Sequence, residues 1–195
     1  MPRTNISISD ETAERLSQEA IRRNKTLYAF ANESLEAVIS ICRLAGEPSQ
    51  VFSSWKMGRI LKEIDAVPLP GYLVEKLVKR LYESDKDWLL KAWAIEGDRI
   101  GKYLQMSYAD ISELSRAVME FQDLLPMKRI EVKEAGPPGS KREMVIRAIG
   151  AGLSAESTAC AESFMRGLLG SYEWSVKASR ISEGIIELET TRNRQ

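Results

Sequence analysis

RTNISISDETAERL, residues 3–16, is the stretch on which the reading of this chain turns. Thr4, Ile6 and Ile8 lie on one parity, and Arg3, Asn5, Ser7 and Ser9 on the other. Alternation of period two is the pattern of a half-buried strand. It stops at Ser9 and Asp10, both good helix N-caps. Glu11 and Glu14 then put negative charge in a first helical turn, where the helix dipole favours it. The pattern predicts a short strand running into a helix. The next strand-like run comes more than a hundred residues later, so the strand has no neighbour close in sequence.

The helix carries a narrow apolar stripe of Ala13, Leu16 and Ala20 as far as about Arg23. Asn24-Lys25-Thr26 breaks it: Asn tolerates the left-handed conformation at a helix end, and Thr26 is suited to cap a second helix. That helix is expected over residues 27–44, with Phe30, Ala31, Ser34, Leu35, Val38 and Ile41 on its buried face. Gly46-Glu47-Pro48-Ser49 marks the edge of a first domain, residues 1–45. A strand without a partner in its own chain can pair with the same strand of a second copy. Two antiparallel copies form a ribbon, and the helix pairs behind it interlock to bury Ile6, Ile8, Leu16, Phe30, Leu35 and Val38. Neither chain buries that face alone, so folding and dimerisation become one event. The opposite face of the ribbon presents Arg3, Asn5 and Ser7 twice. A two-stranded ribbon fits the DNA major groove, where Arg pairs with guanine and Asn with adenine through double hydrogen bonds.

Residues 3–43 resemble the ribbon-helix-helix family of DNA-binding proteins, the MetJ/Arc type. The resemblance rests on the short strand, the capped helix, the Asn24–Thr26 break and the second amphipathic helix. It implies an intertwined homodimer whose alternating strand residues, here Arg3, Asn5 and Ser7, read bases in double-stranded DNA. It also implies that the start of the second helix, Thr26 and Leu27, holds a backbone phosphate, as free amides and the helix dipole allow. The chain departs from the family pattern at Asn24, where glycine is usual. It departs again at Leu27 and Tyr28, where more polar residues often follow the cap.

The rest of the chain reads as helices, two strands, a helix and two strands, so the fold class is α+β. The expected C-terminal domain is a helical segment followed by an antiparallel sheet with its helices, residues 50–190. Apolar stripes run through Met57–Ile64, through Leu73–Leu81, and over helices expected at residues 88–104 and 107–125. MKRIEVKEA and REMVIRAIGAG alternate like strands on either side of GPPGS, a turn. Helical spacing returns over residues 154–172, and a hairpin closes around Ser182-Glu183-Gly184. Residues 191–195 are expected to be a disordered tail. The stretch from Trp88 to Glu189 resembles the 4-vinyl-reductase-like domain, which shares its fold with transport-particle (TRAPP) subunits. The resemblance lies in Gly97, Gly101, Phe164, Gly167 and Gly170 with their apolar neighbours. It implies a domain that binds a small hydrophobic ligand or makes protein contacts. The cysteines that many members carry near the final hairpin are missing.

Composition narrows the chemistry. Among 195 residues there is no histidine, which removes Ser-His-Asp triads, Cys-His pairs and ordinary catalytic zinc sites. Cys42 and Cys160 are single and far apart, so a disulfide framework is excluded. Twenty-eight basic and 28 acidic residues cancel, leaving no global field toward nucleic acid. No run of about 18 apolar residues suggests a membrane span. No signal-peptide pattern opens the chain, which is read as cytoplasmic. Gly150-Ala151-Gly152 is read as a tight strand-to-helix turn rather than a phosphate loop, and Gly97 and Gly101 as points of close helix approach. Tryptophans 55, 88, 93 and 174 are candidates for core packing or for lining a pocket.

The expectation is a dimeric, sequence-specific DNA-binding transcriptional regulator with a C-terminal sensing or oligomerisation domain. No catalytic residue, cofactor or metal is assigned, and the chain is not read as an enzyme. The alternatives are a small hydrophobic ligand-binding protein or enzyme that uses the C-terminal domain, or a scaffold dimer whose N-terminal arm only dimerises.

Overall fold

The computed structural model describes residues 5–44, 47–120, 125, 127–135 and 143–193. Its elements run α1 (Asp10–Arg22), α2 (Leu27–Arg43), α3 (Pro48–Glu63), α4 (Gly71–Leu104), α5 (Ile111–Glu120), β1 (Arg129–Ala135), β2 (Glu143–Ile149), α6 (Ala155–Ser171), β3 (Trp174–Ser182) and β4 (Ile185–Arg192). The fold is α+β, with six helices and a four-stranded antiparallel sheet among the described residues. The chain divides into two compact units, Met1–Ser53 and Ser54–Gln195.

In the N-terminal unit, local chemistry sets each boundary. Ser9 caps α1, its hydroxyl accepting the Thr12 N–H at 3.3 Å. The helix ends at Asn24, whose φ of 53° is left-handed. There Lys25 N–H donates to the Ala20 carbonyl and Asn24 N–H to that of Ile21. These two bonds are the 6→1 and 5→2 pair of a Schellman ending. Two residues later Thr26 caps α2 by accepting the Ala29 N–H at 3.2 Å. The short turn folds α2 back on α1 and buries Ala20. Residues 5–9 form neither helix nor strand, where the alternation predicts a strand. A strand needs a hydrogen-bonded neighbour, and the described residues of one chain provide none.

The C-terminal unit is built on the sheet, in the order β1-β2-β4-β3. Met144, Ile146 and Ala148 of β2 face inward with Ile186 and Leu188 of β4 and Trp174 of β3. They pack with Leu169 and Tyr172 at the end of α6 and with Ile111 and Leu114 of α5. The outer face mixes charged and apolar side chains. One row crosses all four strands in register as Glu131–Arg147–Glu187–Arg180, alternating in charge. Such opposite pairs across strands stabilise a solvated sheet face modestly.

Helices α4 and α6 meet through glycines. A Cβ on Gly97 would lie 2.1 Å from the Phe164 carbonyl oxygen, and one on Gly167 would lie 1.9 Å from that of Ala94. A Cβ on Gly101 would lie 2.1 Å from the Ser171 hydroxyl. Close helix approach is therefore what these glycines provide.

The stripes at residues 73–81 and 88–104 lie, as the spacing predicts, on two helical stretches that α4 joins across a kink at Asp85, whose φ and ψ are −154° and 74°. Asp85 caps the second half, its carboxylate accepting the Trp88 N–H at 3.1 Å. The helix expected from residue 107 starts at Ile111, because the Asp110 carboxylate accepts the amides of Ser112 and Glu113 and stops it from extending backwards. The expected tail is shorter: Thr191 pairs with Glu143 and Ser175, and Arg192 with Trp174, so β4 continues through both. The GPPGS turn lies outside the described residues.

Candidate nucleic-acid interface

The residues assigned to base contact sit just before α1. Arg3 lies outside the described residues. Asn5 and Ser7 are exposed. Ile6 and Ile8, on the other parity, are 67% and 50% exposed. Of the remaining residues assigned to a dimer core, Leu16 and Phe30 are half-buried, and Leu35 and Val38 are exposed. The Arg23 guanidinium lies 5.4 Å from the centre of the Phe30 ring and covers part of it. A substantial apolar side of this unit therefore faces solvent in a single chain.

At the start of α2, Thr26 performs the capping role assigned to it, and its hydroxyl is engaged with the Ala29 amide. Leu27 follows it and is exposed. First-turn amides have no acceptor within their own helix, so the dipole and N–H groups there favour an anion. The neighbouring cations are already matched. Arg22 and Arg23 both bind Glu19, at 3.1 and 3.2 Å, and Lys25 binds Glu33. Tyr28 is exposed as well, and so is Ile39 of α2, which the sequence reading did not single out. Leu35 and Ile39 are four residues apart, a spacing that places them on one helix face.

In the C-terminal unit the candidate chemistry is used internally. Gly150 and Gly152 adopt φ of 76° and 110° in the turn from β2 to α6. Gly150 and Ala151 donate their amides to the Gly184 carbonyl, at 2.6 and 3.2 Å. The Gly184 amide in turn donates to the Thr158 hydroxyl at 2.8 Å. The turn is tied to the β3–β4 hairpin, and those two amides are committed to it. Glu96 pairs with Arg99 at 2.8 Å and Asp98 with Lys102 at 2.7 Å, ordinary ion pairs along a helix surface. Glu75 accepts the Leu153 amide and the Ser154 hydroxyl, holding the start of α6 against α4. Ser154 and Ser157 complete a reciprocal capping box there.

Trp174 is in the core and Trp93 packs edge-on against Phe164, whereas Trp55 and Trp88 are exposed. A shallow depression of about 360 Å³ lies on the outer sheet face, between Arg147, Arg180 and Glu187 on its polar side and Ile149, Ile181 and Ile185 on its apolar side. A smaller one of about 100 Å³ adjoins it across Arg147 and Glu187. No tryptophan lines either. Arg147 holds the Glu187 carboxyl below the usual carboxylate range through their hydrogen bonds, with Arg180 adding to the effect. Burial pushes the Cys160 thiol up to about 11. No group of three or more Cys, Asp or Glu among the described residues is placed to hold a metal ion. No described helix is long and apolar enough to cross a membrane.

Neither a family model, a curated protein nor a solved structure matches this chain.

Proposed function

We propose that this chain is a cytoplasmic, dimeric, sequence-specific DNA-binding regulator of the ribbon-helix-helix kind. In this reading residues 3–9 of two copies pair as an antiparallel ribbon. Ile6 and Ile8 are buried between the interlocked helix pairs, and Arg3, Asn5 and Ser7 face the major groove. The observation that carries it is the exposure of Ile6 and Ile8 directly before a capped α1–α2 hairpin that leaves Leu35 and Val38 exposed as well. Burying four such side chains at about 25 cal/mol per Å² of apolar surface is a driving force that only a second chain with the same face supplies symmetrically. For the C-terminal unit, assembly is favoured over ligand sensing, because the two depressions described on its sheet face are shallow and no tryptophan lines them.

The test is fluorescence anisotropy with the DNA upstream of the chain's own gene. Arg3→Ala and Asn5→Ala are each expected to cost ~1–3 kcal/mol and to relax preference at particular base pairs. Thr26→Ala should weaken specific and non-specific DNA alike, because phosphate contacts carry no direct sequence information. If the Arg3→Ala/Asn5→Ala double variant kept full affinity and preference, the ribbon would not be the reader.

A further inference from the structure

The two edges of the sheet are built differently. At β3 the pairing with β4 slips between Val176 and Ala178, and a bulge of this kind spoils an edge as a template for further strands. At β1 all seven residues, Arg129–Ala135, pair with β2 in unbroken register, with no proline or glycine among them. The other side of β1 has no strand among the described residues. Every second residue there turns an N–H and a C=O away from β2. No backbone bond from outside the sheet reaches them. A regular edge of this length is a template for another strand.

The side chains of β1 indicate which strand that is. A second copy of β1, antiparallel about a two-fold axis at Val132, overlaps the first from end to end. Glu131 then stands opposite Lys133, Arg129 opposite Ala135 and Ile130 opposite Glu134, each twice, with Val132 opposite itself. Within one chain Glu131 already lies 2.8 Å from Arg129 and 3.6 Å from Lys133 of its own strand. The pair adds a cation directly across the ladder, where opposite charges attract and like charges repel. Neighbouring registers fail on the same residues. A slide by two sets Lys133 against Lys133, or Glu131 against Glu131 and Arg129 against Lys133. A slide by four leaves three residues of each strand paired. A slide by one sets outward side chains against inward ones. A parallel pair needs an axis along the strands, which turns one sheet over. It would lay Ile130 and Val132, which pack on the core, beside Glu131 and Lys133 of the other copy.

We infer that the free edge of β1 is a contact between two copies of this chain, joining their sheets into one antiparallel sheet of eight strands, with Glu131 and Lys133 setting the register. The contact is isologous, as a closed dimer requires. It rests on the assembly reading of the C-terminal unit and uses none of the ribbon residues, so each contact can form without the other.

The experiment uses the full chain with Cys42→Ser, which leaves the buried Cys160 as the remaining native thiol. Val132→Cys puts a thiol on the axis. Residues directly opposite in an antiparallel pair have Cα atoms about 4.5 or 5.5 Å apart, within disulfide range, so mild oxidation should join two copies. Ala135→Cys lies about 20 Å from its copy along the strands and should stay unjoined. Adding Lys133→Glu to Val132→Cys sets like charges opposite each other twice and should lower joining about tenfold. Adding Glu131→Lys as well should restore it. Circular dichroism checks that each variant is folded. Because Val132 touches the core, hydrogen exchange gives a second reading without new cysteines. The outward amides of β1 should exchange slowly in the parent and about tenfold faster in Lys133→Glu. Equal joining at positions 132 and 135, or a charge reversal that changes neither joining nor exchange, would overturn the inference. A chain that is dimeric by light scattering yet neither joins at position 132 nor protects β1 would overturn it as well, leaving the ribbon standing. Joining at position 132 without DNA binding would do the reverse.

Discussion

Gly167→Ala and Gly58→Ala are the same chemical change in two helices, and the structure assigns them opposite signs. In the middle of α3, a Cβ on Gly58 meets nothing within 4 Å. That substitution should stabilise by roughly 0.5–1 kcal/mol, because alanine has less chain entropy to lose and a better helix propensity. At Gly167 the added carbon would sit 1.9 Å from the Ala94 carbonyl oxygen and 2.9 Å from the Asp98 nitrogen. Both are backbone atoms, so no rotamer change relieves them, and α4 must move away from α6 by more than an ångström. Overpacking of this kind costs typically ~1–3 kcal/mol, and a contact this short belongs at the upper end. Subtracting the propensity gain of about 1 kcal/mol leaves a net loss near 2 kcal/mol. For a chain of this size that lowers the melting temperature by roughly 4–8 °C. Gly97→Ala strains the same crossing from the other side, against the Phe164 carbonyl. One displacement relieves both clashes, so the double variant should lose less than the sum of the singles. Urea denaturation of the four proteins is the assay. A neutral or stabilising Gly167→Ala would refute the account of the α4–α6 contact.

Two further outcomes follow from the C-terminal unit. Under native conditions a thiol reagent should modify the exposed Cys42 quickly, and Cys160, buried and with its thiol pushed up to about 11, only after unfolding; two fast thiols by absorbance would contradict the packing around Val78 and Leu89. Arg147 keeps the Glu187 carboxyl ionised below its usual range, so its contribution is full above the unfolded value of about 4.3 and is lost as pH falls through the lower folded value. Glu187→Gln should therefore reduce stability at neutral pH in urea titrations, with the difference from the parent closing in acid; a difference independent of pH would mean that the ion pair contributes nothing.

What could be read from sequence was whatever rests on neighbours in the chain. Ser9 and Thr26 cap the helices that follow them, because a hydroxyl and an amide three residues on meet without outside help. Asn24 takes the left-handed turn for which its residue type is suited. The antiparallel sheet was legible from alternation in β1 and β2, and the glycine crossing from glycines one helical turn apart. The break in α4 was legible too: the apolar stripes of residues 73–81 and 88–104 are separate, and the helix kinks between them at Asp85. Long-range order was harder to read. The tail was misread because Thr191 and Arg192 owe their order to β2 and β3, distant in sequence. The N-terminal strand failed in another way. Its alternation is real, but a ladder partner is a property of an assembly, and one chain leaves Ile6 and Ile8 in water.

The charge layout of the N-terminal unit bears on how a ribbon of this kind would hold DNA. Arg22, Arg23 and Lys25 are cations clustered at the α1–α2 turn, and all three are paired with Glu19 or Glu33, which leaves a single net positive charge there. Releasing them to bind phosphate would abandon those carboxylates beside a polyanion, a cost that cancels much of the gain. Phosphate contact then falls to the first-turn amides of two α2 helices, with two copies of Arg3 as the remaining cations near the groove. Two to four neutralised phosphates correspond to a slope of roughly −2 to −4 in log affinity against log salt. Affinity would come mainly from hydrogen bonds to base edges, and non-specific binding would be weak. Anisotropy titrations at several salt concentrations measure the slope directly. A value steeper than about −6 would require the three clustered cations to leave their carboxylates, and recognition would then centre on the α1–α2 turn rather than the ribbon.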